Sequence, residues 1–251
     1  MAAFVLVHGG MHAGWCWEKI VPRLAAAGHR VWAPDLPGMG SNSAVPHGEV
    51  SLAVEGDYVA EVIRGIDEPV VLVGHSMGGV AISEAAERVP ERILGLVYAA
   101  ANLIPDGATM FGWMAHREKR EFTIQTSADG QSLLPNPDYA TQLFYNTCSA
   151  EDVAAILPRL RPQPARPGQE PLSLTAERFG SVPRSYVECL QDQALPIAFQ
   201  RFMTGHLPCD PVFTIDSDHS PFVCKPDEFT AVLLEAEAAF RKAVRQEARA
   251  I

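Results

Sequence analysis

The sequence predicts an α/β protein: a mainly parallel sheet of about six strands, flanked by helices and interrupted by an inserted cap. Three observations lead there. Short runs of strand-forming residues at 4–7, 30–33, 70–73 and 93–99 alternate with helical patterns, and such alternation lays strands parallel through right-handed crossovers. The alternation resumes with runs at 185–190 and 212–215. Between 102 and 183 the character changes: prolines gather at Pro158, Pro162, Pro164, Pro167 and Pro171, and aromatics stand at Phe111, Trp113, Phe122, Phe144 and Tyr145.

The run 4–7 stops at His8-Gly9-Gly10, a strand ending in a glycine-rich loop. If that loop lies beside a reactive group, the Gly10 amide points at a reacting carbonyl oxygen; otherwise it is a plain strand-ending turn. Trp15, Trp17, Ile20, Val21, Leu24 and Ala25 recur near helical spacing before Gly28, with Pro22 in the helix's first turns. The run 30–33 enters Pro34-Asp35-Leu36-Pro37-Gly38-Met39-Gly40-Ser41, which breaks regular structure. Its glycines do not form a dinucleotide fingerprint, because the third glycine is missing and a turn precedes them. Ser51 is placed to cap a helix carrying Leu52, Val59, Val62, Ile63 and Ile66.

The run 70–73 enters Gly74-His75-Ser76-Met77-Gly78 and leaves as a helical pattern with Val80, Ala81, Ala85 and Val89 on one side. A serine on so sharp a strand-to-helix turn is strained, and Gly74, Gly78 and Gly79 remove side chains that would collide. Helix amides behind Ser76 favour negative charge developing nearby, as in acyl transfer. A bare G-x-S-x-G also occurs as a simple turn; the strand-to-helix setting favours a nucleophile.

The expected boundaries are 1–101 and 184–251 for the core and 102–183 for the cap, which includes an amphipathic stretch at 151–157. Met11, Phe111, Trp113, Met114 and Phe144 are candidates for a substrate pocket; the alternative is that the cap residues only fasten the insertion to the body. After the cap, the run 185–190 delivers Asp192 to its C-terminal end. The run 212–215 leads into Asp216-Ser217-Asp218-His219-Ser220-Pro221. Pro226 then opens a terminal helix with Phe229, Val232, Leu233, Ala236 and Phe240 aligned and a solvated, charge-rich end.

Ser76, Asp192 and His219 each follow their own strand, and the ends of parallel strands share one rim. Their order in the chain is that of nucleophile, orienting acid and base in an α/β-hydrolase. His219 would take the Ser76 proton, Asp192 would fix the imidazole tautomer, and the amides of Gly10 and Met77 would hold the oxyanion. Asp216 and Asp218 sit too close to His219 in sequence to reach its far ring nitrogen and read as loop-bracing or surface groups. His8 and His12 lack an acidic third ligand, so no metal site is expected. His29, His47, His116 and His206 read as solvated, and His75 as turned away from the face that presents Ser76.

At 251 residues and 47% hydrophobic, the chain has ample material for a core. Its formal charge of -10 argues against nucleic acid and anionic membranes as partners. Cys16, Cys148, Cys189, Cys209 and Cys224 are odd in number, widely spaced and without a C-x-x-C pair, which suits a reduced cytoplasm. No basic leader or long apolar segment precedes the first strand. The expected partner is a small-molecule ester, without a cofactor, and a homodimer is compatible with the sequence.

The motifs F-V-L-V-H-G-G-M-H-A-G-W-C-W, A-A-G-H-R-V, D-L-P-G-M-G, G-H-S-M-G-G, N-T-C-S-A-E-D, E-R-F-G-S-V and D-H-S-P, with the stretch 186–202, give a resemblance over nearly the whole length. The chain resembles the plant-type methylesterase and hydroxynitrile lyase branch of the α/β-hydrolases. That resemblance implies the same nucleophile, acid, base and oxyanion amides. Ala13 departs from the glycine usual in that branch. The resemblance also implies that S-selective lyases carry a lysine where this chain has Ser220, and R-selective lyases an asparagine where it has Gly9. Both devices being absent, the expected activity is a serine carboxylesterase acting through an acyl-enzyme on a small to medium ester with an apolar or aromatic part. The alternatives are a hydroxynitrile lyase-type carbon–carbon lyase, an amide or carbamate hydrolase, and a non-catalytic small-molecule receptor.

Overall fold

A computed structural model describes residues 2–117 and 125–250; Phe122 lies outside the described residues. The chain begins with β1 (Ala3–Val7), α1 (Val21–Ala26), β2 (Val31–Trp32), α2 (Leu52–Arg64), β3 (Val70–His75), α3 (Gly78–Arg88) and β4 (Ile93–Ala99). Between β4 and the next strand of the main sheet come α4 (Met110–Met114), β5 (Gln125–Thr126), β6 (Ser132–Leu134), α5 (Pro137–Phe144), α6 (Ala150–Ile156) and β7 (Gln163–Pro164). The chain closes with β8 (Arg184–Cys189), α7 (Ile197–His206), β9 (Val212–Ile215), α8 (Pro221–Cys224) and α9 (Pro226–Ala250). Six strands form one sheet in the order β2-β1-β3-β4-β8-β9, and every neighbouring pair is parallel. This is the expected architecture, with β2 and β9 at the edges.

Side chains alternate across the pleat, so each strand feeds two cores. On one face Val5, Val7, Val70 and Leu72 pack with Val59 and Ile63 of α2 and Ala81 and Ala85 of α3. On the other, Phe4, Leu6, Val71 and Val73 meet Trp17, Ile20 and Leu24 together with Phe229, Leu233 and Phe240 of α9. Sheets covered on both faces need near-continuous apolar strands, and β1 and β3 are buried at every position.

Local chemistry sets the boundaries. Ser51 caps α2 by accepting from the Val54 amide at 3.1 Å, as expected. The expected single helix over 15–25 is instead a 3-10 turn, Gly14–Trp17, followed by α1. Pro22 sits in the first turn of α1, where its missing amide is harmless; farther inside a longer helix it would break a bond. The 102–183 segment carries a second sheet, antiparallel, in the order β5-β6-β7, with strands of two or three residues. Such strands are too short for a two-residue period to show in the sequence. Among the described residues no helix is long and apolar enough to cross a membrane.

Candidate active site

The turn between β3 and α3 holds Ser76 at φ +50°, a left-handed conformation that costs a non-glycine residue about 1–3 kcal/mol. The neighbouring backbone compensates. The Ser76 carbonyl accepts from the amides of Asn102 at 2.9 Å and Gly79 at 3.1 Å. A Cβ on Gly78 would stand 2.6 Å from the His8 carbonyl oxygen, and one on Gly79 2.4 Å from that of Asn102, so only glycine lets α3 start this close to the strand ends. Ser76 is half-buried and opens onto a cavity that His219 also lines.

Asp192 follows β8 and is 3% exposed. One carboxylate oxygen, Oδ1, accepts from the amides of Ala194 at 2.7 Å and Leu195 at 2.8 Å; the other, Oδ2, lies 2.7 Å from Nδ1 of His219. A carboxylate that takes amide bonds on one oxygen is an acceptor on the other, so Nδ1 of His219 carries the proton and Nε2 keeps a free lone pair. Gln200 of α7 fixes the turn: its side chain bonds both backbone groups of Cys189 and the Leu195 carbonyl at 2.7 Å. A lone glutamine in a helical stretch carries no pattern, so nothing in the sequence marks Gln200.

His75 is fully buried and braces His219. Its Nε2 donates to the His219 carbonyl at 2.7 Å, and the two rings lie 4.6 Å apart. Burial, and then the neighbouring His219 and His12, hold its pKa well below the ordinary histidine value, so it stays neutral. Gly9 faces this ring from the other side. A Cβ there would meet His75 Nδ1 at 2.7 Å and the Ser76 Cβ at 2.8 Å.

The loop after β1 continues along the cavity. Met11 takes φ +64°, and its amide donates to Gln163 Oε1 at 2.9 Å. Gln163 is 2% exposed and also reaches the Met77 sulfur, so β7 clamps the two segments that carry Gly10 and Met77. The Gly10 and Met77 amides take no protein acceptor among the described residues, and both residues line the cavity beside Ser76. His12, pushed down to about 3 by burial, is neutral; its Nδ1 donates to the Gly10 carbonyl at 2.6 Å and its Nε2 accepts from the Tyr145 hydroxyl at 2.5 Å. Gln163 and Tyr145 bind across more than a hundred residues of sequence, which no local pattern reports.

The cavity encloses about 120 Å³ open to the centre of a water molecule. Met11, Phe111, Met114 and Phe144 line it, joined by Met110, Leu133 and Leu143, while Asn102 and Arg117 add polar groups. The Phe144 ring lies 5.5 Å from that of His219. Trp113 is the exception among the pocket candidates. Its ring stands 5.0–5.5 Å from those of His116, Phe202 and His206, away from the cavity. Met110, Phe111 and Met114 share an arc of about 100° on α4, and helical spacing turns Trp113 out of it. Asp218, buried, accepts from the Thr147 and Ser220 amides at 2.8 and 2.9 Å, while Asp216 accepts from Gln191; neither contacts the His219 ring nitrogens.

Residues 4–232 match a family model described as the alpha/beta hydrolase family. The chain is 35% identical over 250 residues to putative methylesterase 11, chloroplastic, of Arabidopsis thaliana, covering 92% of this chain but spanning only 63% of that relative. It is 33% identical to salicylic acid-binding protein 2 of Nicotiana tabacum, with 92% of this chain and 95% of that one covered. The crystal structure of polyneuridine aldehyde esterase matches with a TM-score of 0.84 at 30% identity, over 94% of this chain and 99% of that one. The chain therefore belongs to the α/β-hydrolase family, in the branch that holds the plant methylesterases.

Proposed function

We propose that the chain is a serine carboxylesterase that hydrolyses a small to medium ester with an apolar or aromatic part. One observation carries the reading: His219, oriented by Asp192 at 2.7 Å, opens with the strained Ser76 onto one apolar cavity. His219 Nε2 takes the hydroxyl proton as Ser76 Oγ attacks the ester carbonyl, and Asp192 stabilises the imidazolium formed. The Gly10 and Met77 amides receive the oxyanion. The proton passes to the departing alcohol, leaving an acyl-enzyme. Water, activated by the same imidazole, releases the acid and restores Ser76.

The relatives' names support ester chemistry, and salicylic acid-binding protein 2 carries an aromatic acid in its name, the kind of product an apolar cavity would hold. In this reading 102–183 is the cap that selects the ester. Gly9 and Ser220 speak against the lyase alternative; at Gly9 a side chain would press on both His75 and Ser76. The five unbridged cysteines support a cytoplasmic setting, which fractionation of expressing cells would test. For the activity, methyl and aryl esters are offered to the wild type and to Ser76→Ala, with fluorophosphonate labelling of Ser76 in parallel. Ester turnover that disappears with Ser76 supports the reading. Cyanide release from mandelonitrile without ester turnover, or salicylate binding with an unlabelled Ser76, overturns it.

A further inference from the structure

Beside the loop that carries His219, and outside the cavity lining, three segments bring unused reactive groups together. Cys148 lies in the loop between α5 and α6, Asp218 directly precedes His219, and Cys224 ends α8. The two sulfurs and a carboxylate oxygen of Asp218 all lie within 4.8 Å of one another. Both thiols are partly exposed, so a small solute reaches them, while Asp218 is buried. No step of the ester mechanism uses either sulfur.

The cluster sits on a joint. The Thr147 amide donates to Asp218 Oδ2 at 2.8 Å, and the Asp218 amide donates back to Thr147 Oγ1 at 3.2 Å. Asp218 Oδ1 takes the Ser220 amide at 2.9 Å and the Cys224 thiol at 3.3 Å. The segment before α6 is thus stitched to the loop that carries His219 by a reciprocal pair of bonds, with the two cysteines beside the seam. A disulfide needs sulfurs about 2.05 Å apart, so the joint would close by about 2.7 Å at most.

We propose that Cys148 and Cys224 are a reversible oxidation site, joined by hydrogen peroxide into a disulfide that pins segment 102–183 to the His219 loop. The Cys224 thiolate attacks one peroxide oxygen and the O–O bond breaks. The departing hydroxide takes the proton the Cys224 thiol had lost and leaves as water. The Cys148 sulfur then displaces hydroxide from the Cys224 sulfenic acid, its own proton going with it as a second water. Two electrons pass from the thiol pair to the peroxide, and a dithiol reductant reverses the change.

The division of labour follows from the contact between the sulfurs. The neighbouring Cys148 side chain lowers the Cys224 pKa against burial and the Asp218 charge, and the same contact is the largest influence that raises Cys148. The remaining thiols are poorer targets: burial pushes Cys16 and Cys189 well up and Cys209 to about 12. Asp218 already holds two backbone amides, which favours a disulfide over a bound metal here.

The test is peroxide titration of the purified full chain, read by intact mass, thiol count after denaturation and peptide mapping. Oxidation is expected to lower the mass by about 2 Da and remove two of the five thiols, with Cys148 and Cys224 peptides linked and dithiothreitol restoring both. Cys148→Ser should stop at a Cys224 sulfenic acid that dimedone traps; Cys224→Ser should leave Cys148 reduced. The mapping needs no variant, so a misfolded variant leaves the test intact. A different linked pair, no mass change at a several-fold excess of peroxide, or a tightly held zinc ion that protects both thiols overturns the proposal.

Discussion

Strands β1, β3, β4 and β8 bury almost every side chain and place Ser76 and Asp192 by backbone register, so both stand where parallel strands end. The 102–183 segment is held differently. It has two- and three-residue strands and short helices, and beside its apolar contacts it meets the loops around the cavity through long-range bonds that involve side chains, among them Gln163 to Met11, Tyr145 to His12, and the reciprocal pair between Thr147 and Asp218. For the proposed esterase, the contrast teaches that reactivity would depend on positions the main chain fixes, and selectivity on side chains that can change without moving the sheet.

The largest effects should therefore fall on the sheet rim. Ser76→Ala is expected to lower kcat by about a millionfold, and Asp192→Asn by about ten thousandfold through loss of the His219 tautomer. Steady-state hydrolysis of an activated ester reads both, and a Ser76→Ala enzyme with a substantial fraction of wild-type turnover would break the assignment. Next comes Gly9→Ala. Its Cβ would crowd His75 and Ser76 at 2.7 and 2.8 Å, shifting the elbow against His219. Misplacement on that scale costs about a hundredfold in kcat. Unchanged kcat would mean that the loop after β1 yields freely, contrary to its packing.

The same contrast explains what was legible beforehand. Runs of strand-forming residues marked the six strands, most plainly β1, β3 and β4, which are apolar nearly throughout because the sheet is covered on both faces there, and the elbow showed as glycines at fixed offsets around Ser76. The bonds of Gln200, Gln163 and Tyr145 were hidden: each is a long-range or helix-to-turn contact made by a residue whose sequence neighbours say nothing about it. Trp113 departs from the expected pocket lining for a related reason. An aromatic residue in a helical stretch points to packing, but the phase of a five-residue helix against its neighbours decides which aromatics face the cavity.

That phase gives a sharper test within the segment itself. Phe111→Ala and Met114→Ala enlarge the cavity and should alter the ratio of kcat/KM for a bulky aryl ester over a methyl acetate by about tenfold. Trp113→Ala removes a ring packed on Phe202 and should lower the melting temperature while leaving that ratio near the wild-type value. If Trp113→Ala shifts selectivity as strongly as the other two, segment 102–183 does not act through the faces seen in this fold.

The smallest effect on activity is expected where the two regions meet at α2. Glu55, on that helix, is 1% exposed, and Glu170 of the 102–183 segment lies near enough to raise its pKa further. Glu170 itself is engaged, accepting from the Leu52 amide at 2.7 Å and pairing with Arg166 at 2.6 Å. Burial first, and Glu170 second, move Glu55 from 4.5 to about 8 in the folded chain. A carboxyl with a raised folded pKa binds its proton more tightly folded than unfolded. Its contribution is therefore full below 4.5 and is lost as pH climbs through about 8. The full loss is about 5 kcal/mol. Glu55→Gln keeps the shape without the titration. Urea unfolding of wild type and variant at pH 5 and pH 9 should show the variant gaining stability relative to wild type at the higher pH, with ester turnover at neutral pH unchanged. A parallel pH dependence in both proteins would place the proton elsewhere and leave this joint electrostatically silent.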